Sequence, residues 1–375
     1  MRTPDLNWIK DARVFQVNRL HAYSDHIYTI GKDKKPSSFS LNGTWKFNLS
    51  KNYDSCFKFF YNTEFNDSNW NDIQVPGHIQ LQGFDNPHYT DVTYPWDGHD
   101  VVKPGQIDMD KNKVYQYRKT FDCPQDFIGN KLILSFEGAE SNIYVWLNGK
   151  FIGYAEDSFT PSRFDITKYT QEKDNVLCVR IFQKCTGTWL EDQDMWRFTG
   201  IFRDVMIYKQ PSLHIQDLKI DTDIDLDTNK SVLSCVCKMS SNESHTLQAK
   251  LYDPQGNIVW NSNMQDTFEI PVENTCLWSS EFPNLYQLEL VLYDTNNEII
   301  ETIQEQVGFR KFTLEYGIMK LNGKRIVFHG INRHEWDPKT GRWLSQEQME
   351  EDIHILKSLN INAVRTSHYP NNSYW

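Results

Sequence analysis

Residues 326–335 (IVFHGINRHE), 345–360 (SQEQMEEDIHILKSLN) and 361–370 (INAVRTSHYP) decide the fold. The first is an apolar, β-rich run that opens onto polar residues. The second begins at Ser345 and has Gln348 three residues later, the spacing of a capping box in which the two side chains take orphan backbone N–H groups. Its Met349, Ile353, Leu356 and Leu359 keep helical spacing. Asn360 is a stop, because asparagine tolerates the left-handed conformation in which helices end. The third stretch is another apolar run with polar residues at its C-terminal end. Strand, helix, strand is the signature of a βαβ unit and a parallel sheet.

Eight such units, roughly 250 residues, close a (β/α)₈ barrel. Only one is in view before Trp375, so residues 310–375 are expected to be the incomplete N-terminal part of a barrel. Upstream the period changes to that of strands. In NIYVWLNGKFIGYAED (142–157), Ile143, Val145 and Leu147 alternate, and Asn148-Gly149 supplies the positive φ angles of a two-residue hairpin turn. Further strands are expected at 114–121, 131–138, 175–183 and 202–209, which makes residues 1–210 a jelly-roll-like sandwich. Residues 211–309 hold alternating runs at 231–239, 246–253 and 285–294. About seven short strands in such a length suit an immunoglobulin-like sandwich. The expected fold class is mainly β: a jelly-roll-like sandwich, an immunoglobulin-like sandwich, then the first βαβ unit of a truncated barrel.

The formal net charge of −11 argues against nucleic acid and against anionic membrane surfaces as partners. The N-terminus has no apolar h-region, and no stretch approaches the length of a membrane-spanning helix. Seven scattered cysteines without a C-x-x-C fit reduced thiols in a cytoplasmic protein. Cys235 and Cys237 fall on one face of an expected strand, where small buried thiols are common.

Polar residues at the C-terminal ends of barrel strands usually serve chemistry. Here they are Asn332, Arg333, His334 and Glu335 on the first strand, and Arg365, Ser367 and His368 on the second. The bland alternative is that the histidines are satisfied rim residues. One histidine per strand is weak evidence for a metal. Glu191, Asp192 and Asp194 form an acidic cluster among Trp189, Trp196 and Phe198. Carboxylates for hydroxyls and flat aromatic area for a pyranose face are what a sugar site uses, though a solvated turn over core tryptophans would read the same.

These residues also carry a resemblance. GINRHEWDP (330–338) and NAVRTSHYPN (362–371) resemble the start of the barrel in the β-galactosidases of glycoside hydrolase family 2. WLEDQDMWRFTGIFRDV (189–205) is similar to that family's distinctive first-domain motif. VFQVNRLHAYSDH (14–26), LNGTWKFNLS (41–50), VPGHIQLQGFDNPHYTDVTYPWDG (75–98), LNGKFIGYAEDSFTPSRFDIT (147–167), LWSSEFPNLYQLEL (277–290) and VGFRKF (307–312) follow the family's order. The related β-glucuronidases and β-mannosidases share the domain order; EDQDMWR and the N-terminal arm favour galactosidase.

The resemblance implies a retaining glycosidase acting on terminal β-D-galactosides such as lactose. It gives Asp194 the roles of sodium ligand and of contact to the galactosyl hydroxyls. His334 and His368 match the histidines that bind the transition state, and Arg365 a structural arginine. Asp91 stands where the family usually has asparagine; it accepts hydroxyl hydrogen bonds but cannot donate them, and it adds charge near Asp194. No catalytic residue is expected within the chain: the acid/base and the nucleophile lie beyond Trp375, as do most magnesium ligands. Glu335 is the one tempting rim acid, and its family counterpart is not catalytic. The resemblance implies a homo-oligomer or a complementing chain as partner, and an inactive chain when alone. The competing reading is a non-catalytic carbohydrate-binding or assembly subunit built from the two sandwiches.

Overall fold

A computed structural model describes residues 3–94, Trp96 and residues 102–375; positions 95, 97 and 98 of the 75–98 motif lie outside the described residues. The first sandwich faces a seven-stranded sheet against a four-stranded one. The larger runs Gln16–Val17, Lys150–Glu156, Asn142–Leu147, Asn175–Phe182, Val114–Phe121, Gly43–Ser50, Asn71–Val75. The smaller runs Ser162–Asp165, Lys131–Phe136, Val205–Gln210, Ser38–Ser40. Trp45, Phe47, Val145 and Ile181 meet Leu134, Phe136, Phe164 and Ile207 between them. The Asn148-Gly149 turn has φ angles of 50° and 76°, as the hairpin requires.

The seven-stranded sheet is buried on its other face too. Tyr144, Trp146 and Tyr154 point outward, under Phe60 and Trp70 from the segment 51–70 and Ile9 from the short helix Leu6–Lys10. Every residue of Asn142–Leu147 is therefore buried, not only the alternating set Ile143, Val145 and Leu147.

The second sandwich pairs Ile215–Asp225, Lys230–Met239 and Thr267–Glu273 against a six-stranded sheet. Tyr286, Leu288, Leu290 and Leu292 line its core as one face of a strand. Cys235 and Cys237 are buried there with their sulfurs 3.8 Å apart. The sheet contains a piece that sequence order assigns to the first sandwich: Tyr28–Ile30 pairs with Ile299–Val307, and Lys35–Pro36 lies outside it. The N-terminal arm thus adds edge strands to a domain some 200 residues downstream, because an open sheet edge takes whatever backbone lies beside it.

Residues 312–325 form a three-stranded antiparallel ribbon, Phe312–Glu315, Ile318–Leu321 and Lys324–Arg325. Then Gly330–Arg333 and Ala363–Thr366 pair in parallel around the helix Gln346–Ser358. The Ser345–Gln348 capping box is formed, and Asn360 takes φ 58° just after the helix. The strands are shorter than the apolar runs. The Asn362 side chain accepts the His329 N–H at 2.8 Å and donates to the Val327 carbonyl at 3.0 Å, occupying groups a longer ladder would use. Val327, Phe328, Ile355 and Leu359 are roughly half exposed or more, an apolar face of the kind parallel strands normally bury.

Hydrogen exchange should accordingly be fastest in 312–366 and slowest in Asn142–Leu147 and Tyr286–Tyr293. Uniform protection across all three would contradict this. A second expectation concerns Glu301, buried where the two sandwiches meet and accepting a bond from the Ile215 N–H. Burial pushes its pKa from the ordinary 4.5 up to about 8. The folded state keeps a proton that the unfolded chain has released, so stability falls as pH rises between these values. Glu301→Gln should match the parent near the lower limit and become progressively more stable than it towards the upper one, by denaturant titration across pH. A gap that does not grow with pH would refute it.

Candidate functional site

Two elements from distant parts of the first sandwich make a small separate ribbon, His88–Thr90 paired with Met195–Arg197. Its register sets Met195 opposite Thr90, so the next pair outward is Asp194 and Asp91. The two carboxylates interact directly, and the Asp194 charge raises the pKa of Asp91 above its ordinary value. The Tyr89 hydroxyl donates to Asp194 Oδ1 at 2.5 Å, which holds the phenol proton more tightly. Beside them Trp196 and Tyr89 leave 39% and 50% of their surface open, with ring centres 5.4 Å apart.

The histidines come from the barrel strands. Parallel register places Arg333 opposite Thr366, and His334 and His368 follow just past these ends. Their rings stand perpendicular with centres 5.6 Å apart. His334 is held below its ordinary pKa first by partial burial, then by His368 and Arg342, against an opposing pull from Asp194. The order of neighbours is therefore Asp91, Asp194, His334, His368: all four expected residues gather on one side. Arg365 is exposed on the same strand.

The acidic cluster separates. Glu191 turns inward, where its carboxylate accepts the Ser158 N–H and hydroxyl at 2.7 and 2.6 Å, and burial raises its pKa to about 7. Asp192 pairs with Arg197 at 2.6 Å. Only Asp194 is left facing the histidines. Trp189 stacks on Trp96 at 4.1 Å. Phe198 stacks between Trp196 and the barrel's Trp336, at 6.3 and 5.3 Å.

Glu335 is buried in structural bonds. Arg203 Nη2 meets its carboxylate at 3.1 Å, and the Asn372 N–H donates to both oxygens, at 3.2 and 3.0 Å. The same guanidinium donates to the carbonyls of Phe159 and Pro370, both at 2.7 Å. Phe159 stacks on Tyr369 at 4.5 Å. These contacts seat the barrel rim on the sandwich. Sequence reasoning missed Tyr89, Arg203 and Arg342; the first two lie in quoted motifs, but nothing local marked them as partners of Asp194 and Glu335.

For a hard cation the donor chemistry fits: Asp91, Asp194 and Tyr89 supply oxygen atoms and excess negative charge. Among the described residues no group of three His, Cys, Asp or Glu side chains could hold a metal by itself, so other oxygens would have to complete the shell.

Three family models match in sequence order: the sugar binding domain of glycosyl hydrolases family 2 over residues 39–211, the family 2 domain over 213–310, and the family 2 TIM barrel domain over 312–375. A β-galactosidase of Halalkalibacterium halodurans is 48% identical over 99% of this chain and 38% of its own length. One of Clostridium acetobutylicum is 42% identical, over 99% and 43%. A β-galactosidase large subunit of Leuconostoc lactis is 40% identical, over 99% and 63%. The chain spans about two fifths of the length of the first two. Among solved structures, a β-glucuronidase of Ruminococcus gnavus superposes with a TM-score of 0.73 at 20% identity, covering 95% of this chain and 58% of that one. A Bacteroides uniformis β-glucuronidase gives 0.72 at 22%, covering 90% and 40%. At such identity the superpositions speak for the fold alone. The three matched domains, in order and almost end to end, and the identity to these relatives agree with the fold and the gathered residues: the chain belongs to glycoside hydrolase family 2.

Proposed function

We propose that residues 1–375 form the non-catalytic wall of a retaining β-galactosidase site. One observation carries this reading: the Asp91–Asp194 pair, beside an open tryptophan face, interacts through Asp194 with His334, which stands perpendicular to His368 at the C-terminal ends of parallel strands. Carboxylates and imidazoles hydrogen-bond hydroxyls, and the flat ring packs on sugar C–H groups. His334, held towards its neutral form, presents one ring N–H and one acceptor nitrogen to a hydroxyl. Such contacts strengthen as oxocarbenium character develops. The names of the relatives favour galactosides, and the large-subunit relatives favour an assembly in which another polypeptide contributes. Six buried free thiols suit the cytoplasm.

Asp194 would hold Na⁺ together with oxygens from elsewhere, and a bound cation would offset the repulsion between the two carboxylates. A retaining mechanism also needs two carboxyl groups about 5 Å apart, one acid/base and one nucleophile. Glu335 does not serve, because Arg203 and the Asn372 N–H already occupy it. Those groups are assigned to barrel strands other than the two present in residues 1–375.

Three outcomes are expected. The chain alone does not hydrolyse a chromogenic β-galactoside at an enzymatic rate, and activity appears when a chain carrying the rest of the barrel is added; turnover by the chain alone that Glu335→Gln abolishes would overturn the assignment. Glu335→Gln instead lowers stability by about 3 kcal/mol, since it strands a buried cation. In galactose titrations followed by NMR, Asp194→Asn weakens binding, whereas Asp91→Asn strengthens it by removing a like charge and adding a donor. Unchanged binding in Asp194→Asn would sink the reading.

A further inference from the structure

We infer that Arg342 is a positioning residue that fixes the acid-bearing ribbon against the histidine-bearing strands. The inference rests on the site reading above. The ribbon that presents Asp91 and Asp194 has only three residues per strand and, among the described residues, joins no larger sheet. A two-stranded ribbon is marginal in water, so its placement must come from outside.

Arg342 comes from the loop between the first barrel strand and the helix, and its side chain is 3% exposed. One terminal nitrogen, Nη1, binds the Glu140 carboxylate. The other, Nη2, donates to the Trp196 carbonyl at 3.2 Å, in the ribbon and two residues from Asp194. The guanidinium also lies over Phe159 and Tyr369, at 5.1 and 5.5 Å from the ring centres. One planar cation thus joins the sandwich core, the ribbon and the segment that follows His368.

The loop is fixed at the same place. The Arg342 N–H donates to His78 Nε2 at 3.0 Å. His78 is buried, stacks on Phe198 and Phe202 at 4.8 and 5.3 Å, and is held neutral by burial, so Nε2 is free to accept. Gly341 has φ +71°, and a Cβ there would run into the His78 ring. The backbone therefore approaches as closely as glycine allows, and this delivers the arginine into its slot. An arginine is needed because two divergent acceptors must be reached at once; a lysine ammonium can neutralise Glu140 but has no rigid fork.

The test uses this chain with four substitutions and three readouts: amide exchange of His88–Thr90 and Met195–Arg197, galactose affinity and thermal stability. In Arg342→Gln the ribbon should exchange faster while Tyr286–Tyr293 keeps its protection, and galactose affinity should fall roughly tenfold or more, as expected when a contact group is misplaced by about 1 Å. Arg342→Lys should retain thermal stability yet show the same fast ribbon, which a merely charge-balancing residue would not produce. If Arg342→Gln does not fold because Glu140 is left unpaired, Glu140→Gln/Arg342→Gln removes both charges and is read in its place. A ribbon as protected in these variants as in the parent would overturn the inference. If Asp194→Asn leaves galactose affinity unchanged, the site reading fails, and ribbon exchange alone still decides for or against Arg342.

Discussion

The guanidinium of Arg203 is 4% exposed, and the Glu335 carboxylate that it meets is 2% exposed. Neither charge has water to fall back on. Each is tolerated because the other is present and because backbone groups complete the shell: carbonyls of Phe159 and Pro370 for the cation, the Asn372 N–H for the anion. Isolated charges in such surroundings are costly enough that either half alone would resist folding into this shape. The pair therefore couples the first sandwich, which has its own core, to the barrel segment, which does not. With that seam closed, the ribbon from the sandwich and the strand ends from the barrel face each other at a fixed distance. Neither part holds all four candidate residues, since Asp91 and Asp194 belong to the first sandwich and His334 and His368 to the barrel segment.

The seam also explains why acids of similar sequence context behave differently. Glu191, Asp192, Asp194 and Glu335 all sit in polar, motif-rich stretches. Glu191 is buried and bound to Ser158, Asp192 is matched by Arg197, and Glu335 is matched by Arg203. Asp194 is bonded to a phenol and stands beside a like-charged carboxylate. Under the function proposed above, an acid left with surplus negative charge is the one suited to hydroxyls or to a cation, and its surroundings rather than its neighbours in sequence set it apart.

Packing on the barrel side is of another kind. The sandwiches bury aromatic side chains on both faces of a seven-stranded sheet, whereas the helix Gln346–Ser358 has only Met349 fully buried, with Ile353 and Ile355 open. This segment is ordered by its capping box, its two parallel strands and the seam, rather than by a core of its own.

Much of this could be read from the amino-acid sequence because it depends on neighbours in the chain. Asn148-Gly149 makes its turn through two backbone angles. Ser345 and Gln348 cap a helix that starts between them, and Asn360 ends it. Alternation at Tyr286, Leu288, Leu290 and Leu292 identifies a core face wherever the strand lies. The four candidate site residues were named through resemblance of motifs, not through spacing, and periodicity alone could not have grouped them. What the tertiary structure decided are pairings between segments far apart: Tyr28–Ile30 with Ile299–Val307, Asp91 opposite Asp194, Arg203 with Glu335, Arg342 with Glu140 and Trp196. Local sequence carries the period of a strand but not the identity of its neighbour. A buried charge finds its counterpart only when two surfaces close on each other and exclude the water that would otherwise have served it equally well.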